Sequence, residues 1–208
     1  MEPVPVALDT ELVNLLDEVA EERDRVVVAR YLGWDGQGIR TLRLVADDFK
    51  VTRERVRQIC SRVRNALKAL HPYTPTLNSV LNFIEQQMPA PVADIESRLN
   101  TSGLTTGAFR LEGIINFAEV FGRGADISIQ NTVGGRIAVP AKAAELVRHI
   151  LQVARQSVRQ HGAVTISDIV AKLRDCSSSS REQLVAKARG LPLVGQVWGL
   201  VLVLSSYR

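Results

Sequence analysis

The chain has 208 residues, 46% hydrophobic, 23% charged and 5% aromatic, a balance that supports one or several buried cores and excludes disordered, collagen-like and coiled-coil chains. Its longest mostly apolar run, Leu191 to Leu204, is interrupted by Pro192, Gly195, Gln196 and Gly199 and falls short of the roughly 20 residues of a membrane-spanning helix, so no membrane partner is expected. Residues 1–72 carry 12 basic and 12 acidic side chains, 73–140 carry 4 and 6, and 141–208 carry 10 and 4, so the net charge of +4 gathers in the last third.

Met1 to Glu11 holds acids and two prolines where a secretory signal would hold bases and an apolar stretch, so a cytoplasmic protein is expected. From Glu11 to Leu70 the pattern is helical. Leu12, Leu15, Leu16 and Val19 recur at helix spacing, and Gly33, Gly36 and Gly38 in the stretch GWDGQG then break it as a turn. Thr41 is the expected N-cap of a short helix over Leu42 to Phe49, with Leu42, Val45, Ala46 and Phe49 on one face. Thr52 is the expected N-cap of the next. Along that second helix Val56, Ile59, Cys60, Val63, Leu67 and Leu70 share an arc of roughly 100°, with Glu54, Arg57, Gln58, Ser61, Asn65 and Lys68 opposite. The segment sets Lys50, Arg53, Arg55, Arg57, Arg62, Arg64 and Lys68 against a single acid, Glu54.

Past the proline-rich linker His71-Pro72-Tyr73-Thr74-Pro75, two stretches repeat one pattern. Val92 to Leu99 and Ile166 to Leu173 both read apolar, small, Asp, Ile, any, small, basic, Leu. Each follows a longer amphipathic helix, Leu77 to Met88 or Ala143 to Gln160, and precedes another helical stretch and then a β-prone one. The β-prone parts are Asp126 to Val139, with a turn signal at Gly134-Gly135, and Leu193 to Leu204. Thr165 with Asp168 and Ser179 with Glu182 fit capping boxes, which makes Ser177 to Ser180 an inter-helix turn. Three helices and a terminal hairpin is the winged-helix order. The expected fold is therefore mostly α: an N-terminal helix-turn-helix over 1–72 and two winged-helix-like domains with small β-hairpins over 73–140 and 141–208.

A helix-turn-helix needs a small residue where its helices cross, supplied by Ala46, and apolar plugs, supplied by Val45, Phe49, Val51, Val56 and Ile59. Lys50 occupies the turn position where glycine is usual, at a cost on the order of 1 kcal/mol if φ is positive. The outward face of helix 52–68 offers arginines for guanine, Gln58 for adenine and Glu54 for cytosine, the hydrogen-bonding repertoire of major-groove reading. Lys50, Thr52, Arg53, Glu54, Arg55, Arg57, Gln58, Ser61, Arg62, Asn65 and Lys68 form the candidate DNA-binding surface, with Arg57 and Gln58 nearest its centre.

The stretch Tyr31 to Leu70 resembles region four of bacterial housekeeping sigma factors, the part that recognises the promoter −35 element. The string Val51-Thr52-Arg53-Glu54-Arg55-Val56-Arg57-Gln58-Ile59 carries the resemblance, and the glycine-rich turn and the Thr41-Leu42 helix start also sit where that family has them. By that resemblance Arg53, Glu54 and Gln58 reach base edges, and Arg55, Arg57 and Arg62 hold phosphates. The family's promoter-melting motif and polymerase-clamping region find no counterpart, so a complete sigma factor is not expected.

Other chemistry is not signalled. The turn GWDGQG has neither the preceding strand nor the Lys-Ser/Thr of a phosphate loop, and Trp34 within it is expected to pack rather than stack on a base. His71, His149 and His161 lack ligand partners at metal spacing, and Cys60 and Cys176 read as free thiols, so no catalytic residue, metal or cofactor is expected. Two functional readings stay open. One is a sequence-specific double-stranded DNA-binding transcriptional regulator acting by occupancy, with Arg181, Lys187 and Arg189 in the basic last third as a secondary DNA contact. The other is a module docking on RNA polymerase or another DNA-processing complex, or the DNA-binding N-terminal part of a larger protein. The acidic middle third is the part expected to contact RNA polymerase, another protein, or a second copy of the chain in a homodimer.

Overall fold

The computed structural model describes residues 6–161 apart from 108, 133 and 134. In chain order the elements are α1 (Leu8–Val19), α2 (Glu22–Leu32), α3 (Leu42–Phe49), α4 (Arg53–Leu70), α5 (Pro75–Gln87), β1 (Ala90–Pro91), α6 (Val92–Thr101), α7 (Leu111–Val120), β2 (Ile127–Thr132), β3 (Gly135–Pro140) and α8 (Ala144–His161). This is the expected mostly α architecture with a small hairpin. The second winged-helix reading beyond His161 lies outside the described residues, as do Arg181, Lys187, Arg189, Cys176 and the two capping boxes.

Two compact units emerge, one from the chain up to Gln86 together with Asp94–Ala125, the other from Gln87–Ala93 and the chain from Asp126 onward. These lines differ from the expected division at 1–72, 73–140 and 141–208. The linker after His71 does not end the first unit, because α5 and α7 are tied to the N-terminal helices. Glu11 on α1 accepts from the Thr76 and Leu77 backbone N–H groups at 3.1 and 3.0 Å, supplying acceptors to the free amides that open α5. Asn116 on α7 donates to the carbonyl of Leu32 at 3.1 Å, closing the end of α2. Leu8, Leu12, Leu32, Leu67, Leu77, Ile84, Ile95, Leu99, Leu111, Ile114 and Phe117 are its largest fully buried side chains.

The second unit is built on a three-stranded antiparallel sheet of order β1-β3-β2. Its register pairs Ile129 with Ala138 on one side of β3 and Ala90 with Ala138 on the other. α8 packs on β2, burying Val147, Ile150, Leu151 and Ala154 along one stripe.

Candidate nucleic-acid interface

Two capped helices joined through a left-handed residue set the geometry. Thr41 Oγ1 accepts from the Leu44 N–H at 3.3 Å and Thr52 Oγ1 from the Arg55 N–H at 3.1 Å, so both expected N-caps are in place. Between them Lys50 adopts φ 53° and ψ 46°, and the Val51 N–H returns to the Ala46 carbonyl at 3.0 Å. The expected positive φ is therefore present at a lysine, whose side chain is left exposed. Val45, Ala46, Val56 and Ile59 are buried where α3 meets α4, and Leu42, Phe49 and Val51 are half-buried around them.

With this face turned inward, Thr52, Arg53, Glu54, Arg55, Arg57, Gln58, Ser61, Arg62, Asn65 and Lys68 are all exposed along α4, with Lys50 at the turn before it. Leu70 departs from its expected place on the inner arc and is 41% exposed. The reason is that the helix outruns its packing partners: Lys68, Ala69 and Leu70 are all exposed, and Leu67 is the last buried residue.

The exposed charges are partly organised among themselves. Arg57 grips Glu54 through Nε at 2.9 Å and Nη2 at 2.8 Å, and Gln58 Nε2 approaches the same carboxylate at 3.5 Å. This pairing, led by the Arg57 hydrogen bond, holds the Glu54 carboxyl below its ordinary 4.5 and raises Arg57 above its ordinary value. Arg62 pairs with Asp24 on α2. Lys50, Arg53, Arg55 and Lys68 make no ion pair among the described residues, which leaves four cations available to a polyanion. On the inner face Cys60 is pushed up to about 11 by burial, with the Arg64 charge opposing, so it carries no thiolate at neutral pH.

Residues the sequence did not single out position this surface. Arg23 donates to the Phe49 carbonyl at 3.3 Å, while Arg30 and Arg40 converge on Asp48 at 3.0 and 3.1 Å, holding α2 and the glycine turn to the end of α3. Their partners lie 8 to 26 residues away, beyond the reach of a periodicity argument. Trp34 is 4% exposed, donates its indole N–H to the Gly113 carbonyl at 3.1 Å and sits 5.4 Å from the Phe117 ring. It packs, as expected. Among the described residues no cluster of three or more His, Cys, Asp or Glu could hold a metal ion, and no helix is long and apolar enough to cross a membrane.

Neither the curated proteins nor the solved structures searched hold a match to this chain. One family model does match, over residues 15–69, which run from the middle of α1 to the last turn of α4 and contain the whole exposed face described above. Its description is sigma-70, region 4, so residues 15–69 are similar to the helix-turn-helix region of that family, the segment in which the sequence resemblance lay.

Proposed function

We propose that this chain is a sequence-specific double-stranded DNA-binding protein that regulates transcription by occupying its site, reading the major groove with α4 and carrying out no covalent chemistry. The observation that carries the reading is the exposed polar face of α4, presented from a capped N-terminus with its apolar face buried from Val56 to Leu67. Arg53, Glu54, Arg57 and Gln58 form the reading surface, with donors suited to purine edges and the Glu54 carboxylate suited to cytosine, and Lys50, Arg55 and Arg62 supply charge suited to phosphates. The element order α5, β1, α6, α7, β2, β3 is that of a winged helix and supports this reading for residues 73–140, a stretch that the two compact units divide between them; we assign it to a protein partner, RNA polymerase or a second copy.

Selection from random duplex DNA tests this. The wild-type chain is expected to enrich one motif, and Gln58→Ala to cost about 1 to 3 kcal/mol at one base position and relax preference there. An unchanged motif in Gln58→Ala would overturn the assignment of α4 as reader. Co-purification with RNA polymerase after nuclease digestion, with no motif enriched, would favour docking instead.

A further inference from the structure

The second unit carries a polar groove that the α4 surface does not use. α8 turns its apolar stripe toward the sheet and leaves Arg148, Gln152, Arg155, Gln156 and Arg159 exposed along the flank of that stripe, beside β2. These side chains and the outer part of β2 line a groove of about 600 Å³. Arg155 Nη2 donates to the Asn131 carbonyl at 3.2 Å and fixes the helix wall to the strand wall. Among the described residues no carboxylate lines the groove, and Glu145 in the first turn is the single acid on α8.

The spacing of the three guanidiniums suits a linear polyanion. At i, i+7 and i+11 they are stepped about 10 and 6 Å along the helix axis, and one strand of duplex DNA rises about 3.4 Å per phosphate, so the set spans about five phosphate steps along the duplex axis. The carboxamides of Gln152 and Gln156 stand between the arginines and both donate and accept, which matches phosphate and sugar oxygens. An acidic peptide would bind through an apolar anchor as well, and Leu151, the one apolar lining residue among the described residues, is only 8% exposed.

We propose that the groove between α8 and β2 is a second nucleic-acid contact, which grips the phosphate backbone of duplex DNA without reading bases. It rests on the reading of the chain as a DNA-binding protein but not on α4 as the base reader. The test titrates full-length chain against its selected duplex and a scrambled one over about 50 to 200 mM salt, comparing wild type with Arg148→Gln/Arg159→Gln, which leaves the Arg155 bond intact. The slope of log K against log salt should become shallower by about 2, equally on both duplexes, with the selected motif unchanged. Arg148→Lys/Arg159→Lys should restore the slope, which separates lost charge from lost folding. An unchanged slope in the Gln variant overturns the groove and leaves the α4 reading standing. A shallower slope combined with an unchanged motif in Gln58→Ala keeps the groove and overturns α4 as reader. Capture of a poly-glutamate peptide, lost in the Gln variant while the DNA slope holds, overturns the proposal in favour of an acidic protein partner.

Discussion

Cys60 lies on the inner face of α4 at 3% exposure, beside the outward-facing Ser61, and its thiol ionises at about 11 against an ordinary 9.0 because burial strips water from the thiolate. The folded state therefore holds the thiol proton more tightly than the unfolded chain does. Its stabilising effect is complete below the unfolded value and is lost as pH climbs toward 11. Urea unfolding at about pH 8 and pH 10 should show the wild type losing about 1 kcal/mol more than Cys60→Ala. Equal losses in the two proteins would place the thiol in water. Glu54 carries the opposite sign: its lowered carboxyl supports the Arg57 pair above 4.5 and releases it as pH falls. The inward place of Cys60 was legible from its spacing to Val56 and Val63. The pairing of Glu54 with Arg57 was not, since three-residue spacing makes such a contact available without requiring it.

At the scale of the element, caps were the most legible feature, because an N-cap bond spans three residues and depends on little else. Thr41 and Thr52 both accept the bonds their positions implied. Thr41→Ala should destabilise the protein by about 1 kcal/mol in thermal or urea unfolding and leave the selected DNA motif unchanged, since Thr41 lies outside the candidate surface. A changed motif would mean that α3 orients α4 through this cap. Helix ends were less legible than helix starts. Leu70 fits the apolar arc of α4 by period alone, but period does not report where neighbouring helices stop. The Glu11 clamp on α5 joins groups 65 and 66 residues apart and left no local trace.

Across the first unit, the decisive contact is the approach of α7 to the glycine turn. A Cβ on Gly113 would stand 2.3 Å from the Gly33 carbonyl oxygen, and Gly33 itself sits at φ 76°, so neither backbone can retreat cheaply. Gly113→Ala should lower stability by about 1 to 3 kcal/mol and weaken the buried Trp34 bond to the Gly113 carbonyl, whereas Gly124→Ala, with open space at its Cβ, should stay within about 0.5 kcal/mol. Similar melting temperatures for the two variants would refute the close approach. The sequence by itself determined the two helices of the helix-turn-helix and the face of α4 that looks outward, because helix period, capping and a left-handed turn are local properties written within a few residues. Only the tertiary structure decided that α5 and α7 complete the unit containing the helix-turn-helix, and that Arg148, Arg155 and Arg159 line a groove with β2. Those outcomes depend on which surfaces meet after long loops close, and neither charge nor periodicity along the chain encodes that.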